Sequence, residues 1–164
     1  MMTTAHYQTP IGVLNVTLDD DRIIAVNTKH LYPGSSCASR MVSYDSRYRG
    51  VRKQLGEQLK RYFDAPQVSF DIPLQQQGTP YQQRVWRALQ RIPPGQTLTY
   101  GQLAKRLHTS PRAIGNACRQ NPLPLLIPCH RVVAANGLGG FSGKTTGVRV
   151  ALKRWLLQHE GVAV

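Results

Sequence analysis

Between Asn121 and Val133 the chain reads NPLPLLIPCHRVV, with prolines at 122, 124 and 128. Proline fixes its own φ, donates no backbone hydrogen bond and biases the residue before it away from the helical region. The segment is therefore expected to run extended. Leu125, Leu126 and Ile127 form an apolar run that requires burial. The run closes on Cys129, set in direction by Pro128 and followed directly by His130. A buried segment that brings a thiol and an imidazole to one spot is a candidate site. The thiolate is the nucleophilic form, and a neighbouring base or cation raises its share at neutral pH. The plain alternative is a structural cysteine, because adjacency in sequence does not make a catalytic pair.

The formal net charge is +13 over 164 residues, and it is unevenly placed. Residues 1–78 hold nine Lys/Arg against seven Asp/Glu, whereas residues 79–164 hold twelve against one acid, Glu160. Such a field favours a polyanion, with nucleic acid ahead of an anionic membrane surface. A basic protein with no such partner is the alternative. The three cysteines, Cys37, Cys118 and Cys129, are odd in number and lack CxxC spacing. A disulfide framework and a zinc cluster are not expected, which suits a reducing cytosol. No stretch resembles a signal peptide and no run reaches membrane-spanning length. A cytoplasmic protein is expected.

Residues 5–30 predict short strands, with Val13, Val16 and Leu18 before the Asp19-Asp20-Asp21 turn and Ile23, Ile24 and Val26 after it. Residues 31–42, which include Cys37, predict a loop. From Ser43 the period becomes helical, through Tyr48, Val51, Leu55, Leu59 and Tyr62 to about Phe63. Val68, Phe70, Ile72 and Leu74 then alternate as in a half-buried strand. Gln75-Gln76-Gln77-Gly78 reads as a linker at the charge break. It divides the chain into a structural N-terminal α/β domain, 1–78, and a C-terminal domain, 79–164.

The second part predicts helices. Thr79-Pro80-Tyr81-Gln82 and Thr99-Tyr100-Gly101-Gln102 are capping-box patterns. Ser110-Pro111 caps a third helix, Arg112 to about Gln120, with Ala113, Ile114, Ala117 and Cys118 on its apolar face. Two short helices joined tightly in a basic half suggest a helix-turn-helix, although many helical hairpins never touch DNA. Gly115 would allow close approach of a partner or of a packed helix. A last helix, Gly147 to His159, is expected to bury Val148, Leu152, Trp155, Leu156 and His159. Glu160, the lone acid, would either moderate charge or orient an imidazole. These features alone leave open a DNA-modifying enzyme, a DNA-binding regulator and a Cys-His-Glu hydrolase.

The string Ile127-Pro128-Cys129-His130-Arg131-Val132 resembles the signature of the O6-alkylguanine-DNA alkyltransferases, also called methylated-DNA–protein-cysteine methyltransferases. The likeness extends in order through GTPYQQRVW, PPGQTLTYGQLA, RAIGNACRQNPLPLLIPCHRVV, GGFSG and KRWLLQHEG. The first 78 residues are only loosely similar. The resemblance implies an α+β fold: a small ribonuclease-H-like sheet-and-helix domain, then a mainly helical domain with a helix-turn-helix. It implies cofactor-free DNA repair by direct reversal, in which O6-alkylguanine, and with it O4-alkylthymine, is rotated out of the duplex. Cys129 would take the alkyl group once and keep it.

Roles carried over by the resemblance are as follows. His130 would take the thiol proton through a water, and Glu160 would orient His130. Tyr100 would donate to the departing base, and Asn121 would brace the turn before the cysteine. Pro124, the carbonyls of Cys129 and Val132, the Ser142 amide and Lys153 would shape the substrate pocket. Arg112 would enter the stack, from a helix in the minor groove whose Ala113, Gly115 and Ala117 permit close approach and whose Arg119 adds charge. The implied partner is double-stranded DNA, with no membrane, no obligate protein partner and a monomeric, at times nucleoid-associated, protein. No metal is expected. The turn before Arg112 is shorter than the family's usual turn, and the loop over residues 143–150 is longer. Those differences bear on the aim of Arg112 and on tolerance for bulky adducts.

Overall fold

Strands form where β-branched residues alternate along the N-terminal part. In the computed structural model, which describes residues 1–33, 41–141 and 147–164, β1 (Met2–Thr9), β2 (Gly12–Asp19) and β3 (Arg22–Asn27) make successive antiparallel pairs. Left-handed Asp20, at φ 51°, opens the β2–β3 turn, so the expected hairpin is present. Along β1 and β2, Ala5, Tyr7, Leu14, Val16 and Leu18 are buried while their neighbours stay partly exposed. This is the pattern of a sheet with one packed face. Helix α1 (Val51–Asp64) presents Val51, Leu55, Leu59 and Tyr62 to the core. The Tyr7 hydroxyl donates to the Arg52 carbonyl at 2.8 Å, tying β1 to α1. Leu55 and Leu59 are fully buried. Such burial stabilises by about 1.5–3 kcal/mol per side chain.

Two expectations for this unit are corrected. The helix starts at Val51, not near Ser43. Ser43 and Tyr44 instead form a short strand, β4, on the outer edge of β1, giving the order β3-β2-β1-β4. Tyr44 and Tyr48 mimic helical spacing because both rings pack near Tyr7. Residues 68–74 alternate in burial as expected but form no ladder. They dock on β3 only through Ile23 N–H to the Pro73 carbonyl at 3.0 Å and Gln75 N–H to the Ile23 carbonyl at 2.9 Å. Pro73 has no amide hydrogen to continue a strand. Cys37 lies outside the described residues.

The described residues divide into two compact units, Met1–Gln76 and Gln77–Val164. The second opens with helix α2 (Pro80–Gln90), whose Thr79–Gln82 capping box is formed in both directions. Its inner face holds Val85, Trp86 and Leu89. Pro93-Pro94-Gly95 turns the chain into β5 (Leu98–Thr99). Helix α3 (Tyr100–Leu107) follows with a second complete capping box, Thr99–Gln102. His108, left-handed at φ 55°, ends α3, and Ser110 caps helix α4 (Pro111–Arg119). The Trp86 indole N–H donates to the Ala117 carbonyl at 2.9 Å, so α4 sits against the inner face of α2.

The stretch from Asn121 is not extended throughout. Leu125 is left-handed at φ 75°, Pro124 bridges to Ile127, and Ile127 N–H donates to the Leu123 carbonyl at 2.8 Å. Cys129–Arg131 then make one 3-10 turn before β6 (Val132–Val133), which pairs in parallel with β5. Proline restrains its neighbour one residue at a time, so a tight turn fits between Pro124 and Pro128. A left-handed non-glycine residue costs on the order of 1–2 kcal/mol. Burial of Leu123, Leu125, Leu126 and Ile127, each 4% exposed or less, more than offsets that.

Helix α5 (Val148–His159) completes the unit. Its buried face is Leu152, Lys153, Leu156 and Leu157, rotated from the expected one. Val148 is exposed, and Trp155 and His159 stack on each other outside the core, with ring centroids 4.9 Å apart. The shift follows from Lys153, which hydropathy places outside and the fold places inside. No helix among the described residues is long and apolar enough to cross a membrane.

Candidate functional site

Cys129 is 7% exposed and sits at the start of the 3-10 turn, with His130 and Arg131 completing it. Such a turn sends successive side chains in different directions, so Cys129 and His130 need not face one another. Asn121 holds the approach: its Nδ2 donates to the Ile127 carbonyl at 2.9 Å and its Oδ1 accepts from Leu123 N–H at 2.9 Å. Asn121 thus ties the two ends of the turn before Cys129 together. Burial pushes the Cys129 thiol up, while a hydrogen bond from Asn121 and the charge of Lys153 pull it down without reversing the shift. Desolvation thus outweighs the nearby cation and favours the neutral thiol.

His130 is fully buried, and its Nε2 lies 2.8 Å from Glu160 Oε2. Glu160, 1% exposed at the end of α5, also accepts from Arg131 Nε at 2.9 Å and from Arg131 Nη2 at 3.1 Å. Arg131 Nη1 donates to the Ile92 carbonyl at 2.6 Å. Burial alone would raise the Glu160 carboxyl, but the hydrogen bonds from His130 and Arg131 and the charge of Arg131 outweigh it and hold it at about 2. Desolvation lowers the His130 pKa more than Glu160 restores it, and Arg131 and Lys153 lower it further. A neutral imidazole beside a carboxylate places its proton on Nε2. Nδ1 is left as a lone pair, and it is buried with no hydrogen-bond partner among the described residues. This is the electronic state of a general base.

Lys153 is fully buried. Its Nζ donates to the Val132 carbonyl at 2.7 Å and the Gly140 carbonyl at 2.9 Å, and lies 5.7 Å from the centre of the Tyr100 ring. Desolvation lowers its pKa to about 8, against the opposing influence of Cys129 and Cys118. The Val132 carbonyl, expected to receive the purine amine, already holds Lys153, though a carbonyl oxygen has a second lone pair. Tyr100 is half-buried at the first turn of α3, and burial, then Cys118 and Cys129, raise its pKa to about 12. It is a neutral hydroxyl, able to donate. Gly139 is left-handed at φ 77°, and an added Cβ would lie 3.2 Å from Tyr100 Cε2 and 3.5 Å from Lys153 Nζ. Pro124 is buried in the turn before Cys129. Ser142 lies outside the described residues.

On α4, Arg112 and Arg119 are exposed and Ala113 and Gly115 half-buried. A Cβ on Gly115 would meet nothing within 4 Å, so packing inside the protein does not require glycine there. Ala117 departs from the expected outer set: it is 2% exposed and faces Trp86. Ala117 lies with Ile114 on the buried side of α4, as its place on the apolar face implies, and α2 covers it. Three residues were not foreseen. Arg131 doubles the hold on Glu160, Gly139 lets a loop close on Tyr100 and Lys153, and Cys118 of α4 is half-buried. The signal for Arg131 was present, since one acid among many cations beside a His-Arg pair cannot serve the imidazole alone. No group of three His, Cys, Asp or Glu side chains that could hold a metal occurs among the described residues.

A mixed α/β chain with a small antiparallel sheet, a basic helical unit and a buried cysteine is a class that has solved counterparts. Residues 80–162 match the family model described as 6-O-methylguanine DNA methyltransferase, DNA binding domain. The crystal structure of Mycobacterium tuberculosis O6-methylguanine methyltransferase is similar over 98% of this chain and 93% of its own, at 32% identity and TM-score 0.74. That organism's protein in complex with DNA is similar at TM-score 0.69 and 32% identity, over 94% of this chain and 91% of its own. A methylated-DNA–protein-cysteine methyltransferase of Saccharolobus islandicus is 36% identical over all of this chain and 99% of its own length. The chain belongs to the methylated-DNA–protein-cysteine methyltransferase family.

Proposed function

We propose that this protein repairs O6-alkylguanine, and O4-alkylthymine, in double-stranded DNA by moving the alkyl group irreversibly to Cys129, once per molecule. The observation that carries it is the buried His130, whose Nδ1 has no hydrogen-bond partner among the described residues and whose Nε2 lies 2.8 Å from Glu160, itself bonded to Arg131. In the reaction the thiol proton passes to His130, through a water. The sulfur then forms a bond to the alkyl carbon as the carbon–O6 bond breaks, and the electron pair stays on the purine. Tyr100 donates a hydrogen bond to that developing charge, as a preorganised donor does. Lys153 binds the Val132 and Gly140 carbonyls and so joins β6, which follows the cysteine's turn, to the pocket loop. Pro124 forms a wall, the Cys129 and Val132 carbonyls face the purine amine, and the Ser142 amide faces its oxygen.

α3 and α4 act as a helix-turn-helix whose second helix lies in the minor groove. Exposed Arg112 fills the gap left by the flipped nucleotide, Ala113 and Gly115 let the backbone approach, and Arg119 meets phosphate. The open space around Gly115 supports an external partner on that face. The first unit is a ribonuclease-H-like support, and the protein acts as a cytoplasmic, nucleoid-associated monomer without a cofactor. Incubation with duplex carrying O6-methylguanine should add one methyl group to the intact mass, located on Cys129 and absent in Cys129→Ser. A folded protein that gains no mass would reject the proposal.

A further inference from the structure

The inner face of α2 is occupied by Val85, Trp86 and Leu89, and Trp86 reaches α4 through the Ala117 carbonyl. Arg84, Arg87 and Arg91 recur three and four residues apart on the opposite side, and all are exposed. Helical geometry lines such positions up along one stripe. None of the three has an acid three or four residues away, and no ion pair to them occurs among the described residues. The one acidic side chain of residues 79–164, Glu160, is buried and committed to His130 and Arg131. Nothing acidic on the side chains of this unit therefore tempers the stripe. Helix-end electrostatics accounts for Arg91 at the C-terminal end of α2, but not for Arg84 in its second turn. Like charges at these spacings destabilise an isolated helix. At the same end Arg106 of α3 lines, together with Arg91, a cleft of about 310 Å³ whose rim includes Gln96 and Thr97.

We propose that this stripe, extended by Arg106, binds the backbone of a second DNA segment, so that one molecule holds two duplexes, one on α4 and one on α2. From Arg84 to Arg91 the helix rises by about 10 Å, close to three nucleotide steps of about 3.4 Å along one DNA strand. Three guanidinium groups at that span suit successive phosphates, and a contact of this kind reads no sequence. The inference rests on α4 being the face that takes the lesion-bearing duplex.

The test is sedimentation stoichiometry of the full chain with a short unmodified duplex at about 50 mM salt. The expected wild-type result is a complex of one protein with two duplexes. In an Arg84→Glu, Arg87→Glu, Arg91→Glu variant the complex should hold one duplex. In wild type, the second-site affinity should fall with salt at a log–log slope of about −3.6, from four phosphate contacts by Arg84, Arg87, Arg91 and Arg106. A parallel Arg84→Gln, Arg87→Gln, Arg91→Gln variant, with an unchanged circular-dichroism melt, should also lose the second duplex and so excludes misfolding as the cause. A wild-type complex limited to one duplex, a complex of two proteins with two duplexes, or a second duplex retained by either variant would each overturn the proposal. Mass gain on Cys129 in parallel samples given duplex carrying O6-methylguanine reports the alkyl-transfer reading separately.

Discussion

Glu160→Gln isolates the element on which the site depends. The carboxylate accepts from His130 Nε2 at 2.8 Å and from two Arg131 nitrogens at 2.9 and 3.1 Å, and all these side chains are nearly or fully buried. The amide cannot neutralise Arg131, which would then be a buried, unpaired cation. Removing one partner of a buried pair costs about 3–5 kcal/mol. The pKa gives a consistent figure: moving a carboxyl from 4.5 to about 2 on folding corresponds to about 3 kcal/mol. Because the folded pKa is depressed, that stability is present above pH 4.5 and is lost as pH falls toward about 2. Both tryptophans, Trp86 and Trp155, lie in the second unit, so urea unfolding followed by tryptophan fluorescence reads that unit. Wild type should lose about 3 kcal/mol between pH 5 and 2 through this group, and the variant should lack that component while starting lower at neutral pH. At neutral pH, single-turnover alkyl transfer should slow by about 10²–10⁴-fold as His130 loses its orienting charge. A stability loss under about 1 kcal/mol, the range of an exposed ion pair, would refute the buried-network argument.

Other outcomes test the remaining parts. Arg112→Ala should weaken repair in duplex DNA far more than reaction with free O6-benzylguanine, and equal losses would remove Arg112 from the stack. Lys153→Met should release the Val132 and Gly140 carbonyls, costing about 1–3 kcal/mol for each group left unsatisfied. It should also raise the Cys129 pKa, because the cation that pulls the thiol down is gone. The pH profile of iodoacetamide alkylation should move upward, and an unchanged profile would exclude an electrostatic role for Lys153.

Much of the second unit was legible in its residues. Thr79 and Thr99, each three residues before a glutamine, mark two helix starts that the structure contains as complete capping boxes. Cys129-His130 and an isolated Glu160 pointed to one locus, and the fold brings His130 and Glu160 into contact. These signals are local: a cap, a proline stop or an alternating strand is decided within a few residues. The left-handed Leu125, the inward Lys153 and the Arg131 hold on Glu160 were decided only when distant segments met. Charge and hydropathy place lysine and arginine outside. Only tertiary structure can supply the carbonyls of Val132, Gly140 and Ile92 and the carboxylate of Glu160 that make their burial tolerable. The sequence by itself determined which groups carry the chemistry. Tertiary packing decided their protonation states, because desolvation depends on what surrounds a group and not on its neighbours along the chain.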